Sequence, residues 1–105
     1  MKMNYLLISM DKIYLRQTDD IEEILFDFLG PAWFKYVIEN SNYVGLNSQL
    51  YDSPKNIIAS ELFKDEIFGD CIIIQEDNLE HEYHSVQADF IKKYQLEIVN
   101  EIQSC

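Results

Sequence analysis

Basic side chains are scarce in this chain. Eight Lys and Arg stand against nineteen Asp and Glu in 105 residues, a formal net charge of −11. That balance repels nucleic acid, acidic lipid headgroups and most phosphorylated metabolites, and it attracts basic protein surfaces. Glycine (three) and proline (two) are also few, and no repeat or low-complexity stretch occurs, which excludes solenoids and flexible linkers. Long apolar runs are missing too: residues 5–10 are apolar or nearly so, but Asp11 and Lys12 end the run before it reaches the length of a signal-peptide core or a membrane span. A soluble, cytoplasmic protein is expected. Cysteine is limited to Cys71, inside an apolar run, and Cys105. A disulfide between a core strand and a terminus is not expected in a reducing compartment, so Cys71 reads as a small core hydrophobe.

The signatures of catalysis are missing as well. There is no Gly-rich phosphate loop and no Gly-x-Ser-x-Gly elbow. Cys71, between Asp70 and three isoleucines, is expected to have a raised pKa and to be inert. His81 and His84 lie near Glu82, but their spacing is not the His-Glu-x-x-His of zinc peptidases, and no Cys pair supplements them. The expectation is a non-enzyme with no cofactor and no metal.

What the chain does have is enough apolar surface to fold: 48% of residues are hydrophobic and 13% aromatic, which sets it apart from an acidic disordered tail. Its length suits one domain spanning residues 1–105. Strand formers at residues 5–8 and 13–16 suggest a hairpin turning at Asp11-Lys12. Thr18-Asp19-Asp20 then caps a helix whose apolar positions Ile21, Ile24, Leu25, Phe28 and Leu29 recur at helical spacing, closed by Gly30-Pro31. Its early carboxylates Asp19, Asp20, Glu22 and Glu23 suit the positive end of the helix. Residues 33–38 and 43–46 read as a second hairpin, and Ser53-Pro54 as the start of a helix over residues 54–64. Residues 71–75 read as the most buried strand. Val86, Phe90, Tyr94, Ile98 and Ile102 fall at four-residue steps, which predicts a long amphipathic helix over residues 85–102. The pattern ββαββαβα predicts an α+β fold: a small, mostly antiparallel sheet covered by helices on one face, with a long C-terminal amphipathic helix. The other face of such a sheet is free to act as a binding surface or a homodimer contact.

The order of these segments, with Leu29-Gly30, Leu46-Asn47, Asn56-x-x-Ala59-x-x-Leu62 and Ile67-x-Gly69-Asp70-Cys71-Ile72-Ile73 in succession, resembles a family of small uncharacterised domains from phage and plasmid genomes. The resemblance spans residues 4 to 75. It brings no activity and no functional residue with it. What it implies is a mobile-element setting, in which small acidic proteins inhibit host defence enzymes by binding them as nucleic-acid mimics.

Charge is uneven along the chain. Residues 1–50 carry seven acids and four bases, and residues 51–105 carry twelve acids and four bases. The densest stretch, Glu76, Asp77, Glu80 and Glu82, is followed by Asp89, Glu97 and Glu101 on the expected last helix, with Tyr83 and Tyr94 as aromatic anchors. These nine residues form the expected partner-binding surface, facing Lys and Arg of a basic protein. The leading expectation is a non-catalytic inhibitor, an anti-defence protein that covers the nucleic-acid-binding surface of a bacterial enzyme such as a CRISPR effector or a restriction nuclease. Two alternatives stand beside it: an immunity protein or antitoxin that neutralises one cognate toxin, and an oligomeric protein that sequesters a small signalling molecule. The last needs cations converging on a phosphate, and only Arg16 and seven Lys are present.

Overall fold

The computed structural model describes residues 2–38, 41–49, 52–77 and 79–99. Among these, strands β1 (Met3–Ser9), β2 (Lys12–Thr18), β3 (Phe34–Val37), β4 (Tyr43–Asn47), β5 (Cys71–Glu76) and β6 (Tyr83–His84) form one six-stranded sheet. Three short helices, α1 (Ile21–Leu29), α2 (Ile57–Phe63) and α3 (Ala88–Lys93), complete the described residues. The order across the sheet is β2-β1-β5-β4-β3, with every strand pair antiparallel and β6 beside the end of β5.

Two separate cores flank this sheet, because successive side chains on a strand point to opposite faces. Leu6, Ile8, Cys71 and Ile73 point to one face, where Ala59 of α2 and Phe90 of α3 pack. Tyr5, Leu7, Ile72 and Ile74 point to the other, where Ile21, Leu25 and Leu29 of α1 pack. Helices therefore cover both faces, which corrects the expectation of one covered and one open face. The signal lay in β5: Cys71, Ile72, Ile73 and Ile74 are all fully buried, and an unbroken apolar run marks a strand enclosed on both sides.

The C-terminal segment requires the larger correction, since the helix there has six residues in place of the long one expected. Tertiary hydrogen bonds explain why. The Asn4 N–H donates to Ser85 Oγ (3.0 Å), Val86 N–H donates to the Asn4 carbonyl (2.9 Å), and Gln87 N–H donates to Tyr43 Oη (3.0 Å). Residues 85–87 are thus held extended along β1, and β6 adds a strand the sequence pattern did not suggest. After α3, Gln95 takes a left-handed backbone (φ 52°), and Val99 N–H donates to the Ile13 carbonyl at the outer edge of β2 (2.8 Å). Val86, Phe90, Tyr94 and Ile98 do share one core, but they reach it through extended, helical and again extended backbone. A four-residue step is compatible with both periods, and an isolated helix of this length has little stability of its own against such anchors. Ile102 lies outside the described residues.

α2 also starts later than its proline suggests. Gly69 N–H donates to the Pro54 carbonyl (3.2 Å) and Asn56 N–H to the Ile67 carbonyl (2.7 Å), so residues 54–56 are tied to 67–69 before the helix opens. The fully buried Asn56 then caps it: Oδ1 accepts from Ala59 N–H (3.1 Å), while Nδ2 donates to the carbonyls of Ile8 and Gly69 (2.9 Å each). Asn47 does similar work at the end of β4, donating to the carbonyls of Phe68 (2.9 Å) and Asp70 (2.8 Å). At Gly45 the Phe63 ring lies where a Cβ would stand, so α2 can approach β4 only over a glycine.

Candidate partner-binding surface

The expected acidic surface separates into three places. Glu76 turns inward at the end of β5: it is 8% exposed, and its carboxylate receives Lys35 Nζ from β3 at 2.7 Å, with His81 Nδ1 at 3.9 Å. A buried carboxylate held by an ammonium group is a structural pair, because removing either partner leaves an uncompensated charge. Asp77 organises the turn that follows. Its Oδ1 accepts from Leu79 N–H (2.7 Å) and Glu80 N–H (3.4 Å), and its own N–H donates to the Glu82 carbonyl (2.8 Å). The backbone N–H groups of Leu79 and Glu80 hold the Asp77 carboxyl below its usual pKa, assisted by His84 and His81. The turn consequently presents Glu80 and Glu82 to solvent around Leu79, which is 91% exposed.

Tyr83 is half-buried against the α1-side core. Burial pushes its phenol pKa up, the negative charges of Glu76 and Glu22 add to this, and Lys35 opposes. The phenol therefore stays neutral.

The other expected residues lie on the opposite side of the sheet. Asp89 is exposed at the first turn of α3, but Lys92 and Lys93 occupy the last turn, so this helix carries more cations than carboxylates. Tyr94 packs against Phe90 (5.0 Å between ring centroids), with Lys93 Nζ 5.5 Å from its own ring centre. Glu97 is exposed in a concavity shared with Asp11, Lys12 and Ile13 near the first hairpin. Glu101 lies outside the described residues.

α1 brings together residues that the sequence pattern treated as capping. Asp20 is the cap, its Oδ1 accepting from Glu23 N–H (3.3 Å), and Thr18 Oγ1 accepts from Asp20 N–H (3.0 Å). Glu22, Glu23, Phe26 and Asp27 all face solvent, and Asp19 is exposed just before them. Glu22 and Glu23 suit the positive end of the helix dipole. Asp27 does not: it sits near the negative end, where a carboxylate is disfavoured, and no basic residue occupies the last turn. Phe26 is 60% exposed amid these charges. It was legible as a surplus, because Ile21, Ile24, Leu25, Phe28 and Leu29 already fill the buried stripe and a sixth apolar residue has no place in it.

Neither imidazole belongs to a ligand cluster: among the described residues, no three His, Cys, Asp or Glu side chains lie together as a metal site. Cys71 is fully buried, and burial pushes its thiol up to about 12. A concavity of about 500 Å³ beside α2 holds Lys55 and Lys64 but also Glu61, Asp65 and Glu66, so its cations do not converge on a free anion site. No helix of the described residues is long and apolar enough to cross a membrane. Searches of protein-family models, curated proteins and solved structures found no match to this chain.

Proposed function

We propose that the chain is a non-catalytic binding protein whose acidic surface covers a basic, nucleic-acid-binding surface of a bacterial protein. The observation that carries this reading is the outward face of α1: Glu22, Glu23 and Asp27 surround the exposed Phe26, with no cation in the helix. Carboxylates supply long-range attraction to Lys and Arg, and the aromatic ring supplies contact area where binding energy concentrates. Glu80, Glu82 and the exposed Leu79 repeat the same combination at the β5–β6 turn. Tyr83 of β6 packs half-buried against the α1-side core. Glu76 supports the surface from within, and Asp77 organises the turn that carries Glu80 and Glu82.

The resemblance in residues 4 to 75 directs the test to bacterial proteins. Immobilised chain is exposed to a bacterial lysate at low salt, and captured proteins are eluted by salt or by single-stranded DNA. The reading expects nucleic-acid-binding proteins that leave as ionic strength rises from about 0.05 to about 0.5 M, a range over which the screening length falls from about 14 Å to about 4 Å. Capture that is indifferent to both salt and DNA would contradict it.

A further inference from the structure

The two edges of the sheet are treated differently. The outer edge of β2 is met near its start by the chain itself, through the Val99 N–H to Ile13 carbonyl bond and the parallel bridge between Ile13 and Ile98. β3 pairs with β4 on one side, and among the described residues no strand lies on its other side. Exposed edges are normally guarded by a charge, a proline or a bulge. β3 has none of these standing outward: its one charge, Lys35, is drawn back to Glu76 at 2.7 Å, while Phe34 and Val37 are 61% and 62% exposed.

Charge indicates what can cover this edge. No acidic residue occurs in the sequence between Asp27 and Glu39, or between Glu39 and Asp52, so β3 and β4 form a nearly neutral strip on a chain of net charge −11. Two copies of a chain of net charge −11 repel each other at long range on any approach, and least where they meet along this strip. We propose that β3 is a dimer interface, pairing antiparallel with β3 of a second copy so that one sheet runs through both.

The ladder limits the register. Ile38 N–H donates to the Tyr43 carbonyl (3.1 Å), and bonded positions alternate along an antiparallel pair. The backbone groups of Phe34 and Tyr36 therefore face β4, and those of Lys35 and Val37 face outward. A two-fold axis through Tyr36 sets Lys35 opposite Val37 of the second copy and closes four backbone hydrogen bonds. One of the two neighbouring registers sets Lys35 against Lys35, a like-charge contact that cross-strand pairing disfavours. On the α2 side, the two Tyr36 rings would meet, each already beside a Phe63 ring at 6.0 Å.

This inference is independent of the acidic surface and has the opposite salt dependence, since salt weakens attraction to a basic partner but relieves repulsion between like copies. The test is sedimentation equilibrium of the full chain from about 1 µM to about 1 mM. The expected species has twice the 12.5 kDa chain mass, and its association tightens with salt. Val37→Pro removes only an outward N–H and leaves the β4 ladder intact. Phe34→Glu adds a carboxylate at an already exposed position, and it decides the matter alone should the proline variant not fold. Each is expected to weaken association at least about tenfold with an unchanged circular dichroism spectrum. A monomer throughout, a dimer that falls apart as salt rises, or a dimer untouched in the folded variants would overturn the proposal.

Discussion

Asn56 shows how one side chain can decide a local architecture. It has no exposure, and each of its polar atoms is engaged: the amide donates to the carbonyls of Ile8 and Gly69, and Oδ1 accepts from Ala59 N–H. Asn56→Ala strands two carbonyls and one N–H out of reach of water, and a loss of about 2–4 kcal/mol is expected, measured by urea denaturation. Asn56→Asp keeps the cap but sets a carboxylate against two carbonyl oxygens, so it should be no better tolerated. Cys71 gives a second prediction at this scale. Its thiol is raised from 9.0 to about 12 by burial, so between these values the unfolded chain has released a proton that the native chain still holds. Stability must therefore fall as pH rises through that window, by up to about 1.4 kcal/mol per pH unit from this group. Tyr83, also raised, adds to the slope. Melting temperatures from pH 8 to pH 11 should decline less steeply in Cys71→Ala than in the parent.

At the scale of the element, α1 separates stability from the proposed binding role. Its buried residues Ile21, Leu25 and Leu29 anchor it to the sheet, each contributing about 1.5–3 kcal/mol, and Asp20 caps it. Asp27 contributes to neither. Asp27→Lys should therefore stabilise the protein by about 0.3–1 kcal/mol through the helix dipole while weakening capture of the basic partner; a calorimetric scan together with the capture assay measures both. A purely structural role for the carboxylates predicts the gain without the loss. This helix was almost wholly legible in the sequence, because its cap, stripe and terminal Gly30 are all local signals. The β1–β2 hairpin, turning at residues 10–11, was legible for the same reason. The C-terminal segment was not. Its conformation depends on Asn4, Tyr43 and Ile13, residues far away in the chain, and no window around residues 85–99 contains them. The same limit applies to Glu76, which reads as one more surface acid until β3 brings Lys35 across β4 to meet it.

For the whole molecule, what matters is where the charge stands. Among the described acids only Glu76 is buried, so nearly all of the −11 reaches the surface, and the neutral strip along β3 and β4 is the exception. The sequence conveyed the amount of charge but assigned its centre to residues 76–101. In the fold the last helix is short and carries two lysines, Glu76 is buried, and α1 presents three carboxylates around Phe26. Position can be separated from bulk charge by a matched pair of variants. Glu22→Lys/Glu23→Lys/Asp27→Lys on α1 and Glu61→Lys/Asp65→Lys/Glu66→Lys near α2 change net charge equally, and all six positions are exposed. With a partner identified by capture, the measurement is the affinity of the two folded variants at equal ionic strength. The account predicts a loss of at least about 2 kcal/mol, roughly thirtyfold, for the α1 variant and a markedly smaller loss for the other. Equal losses in the two, or full affinity without the α1 carboxylates, would contradict it.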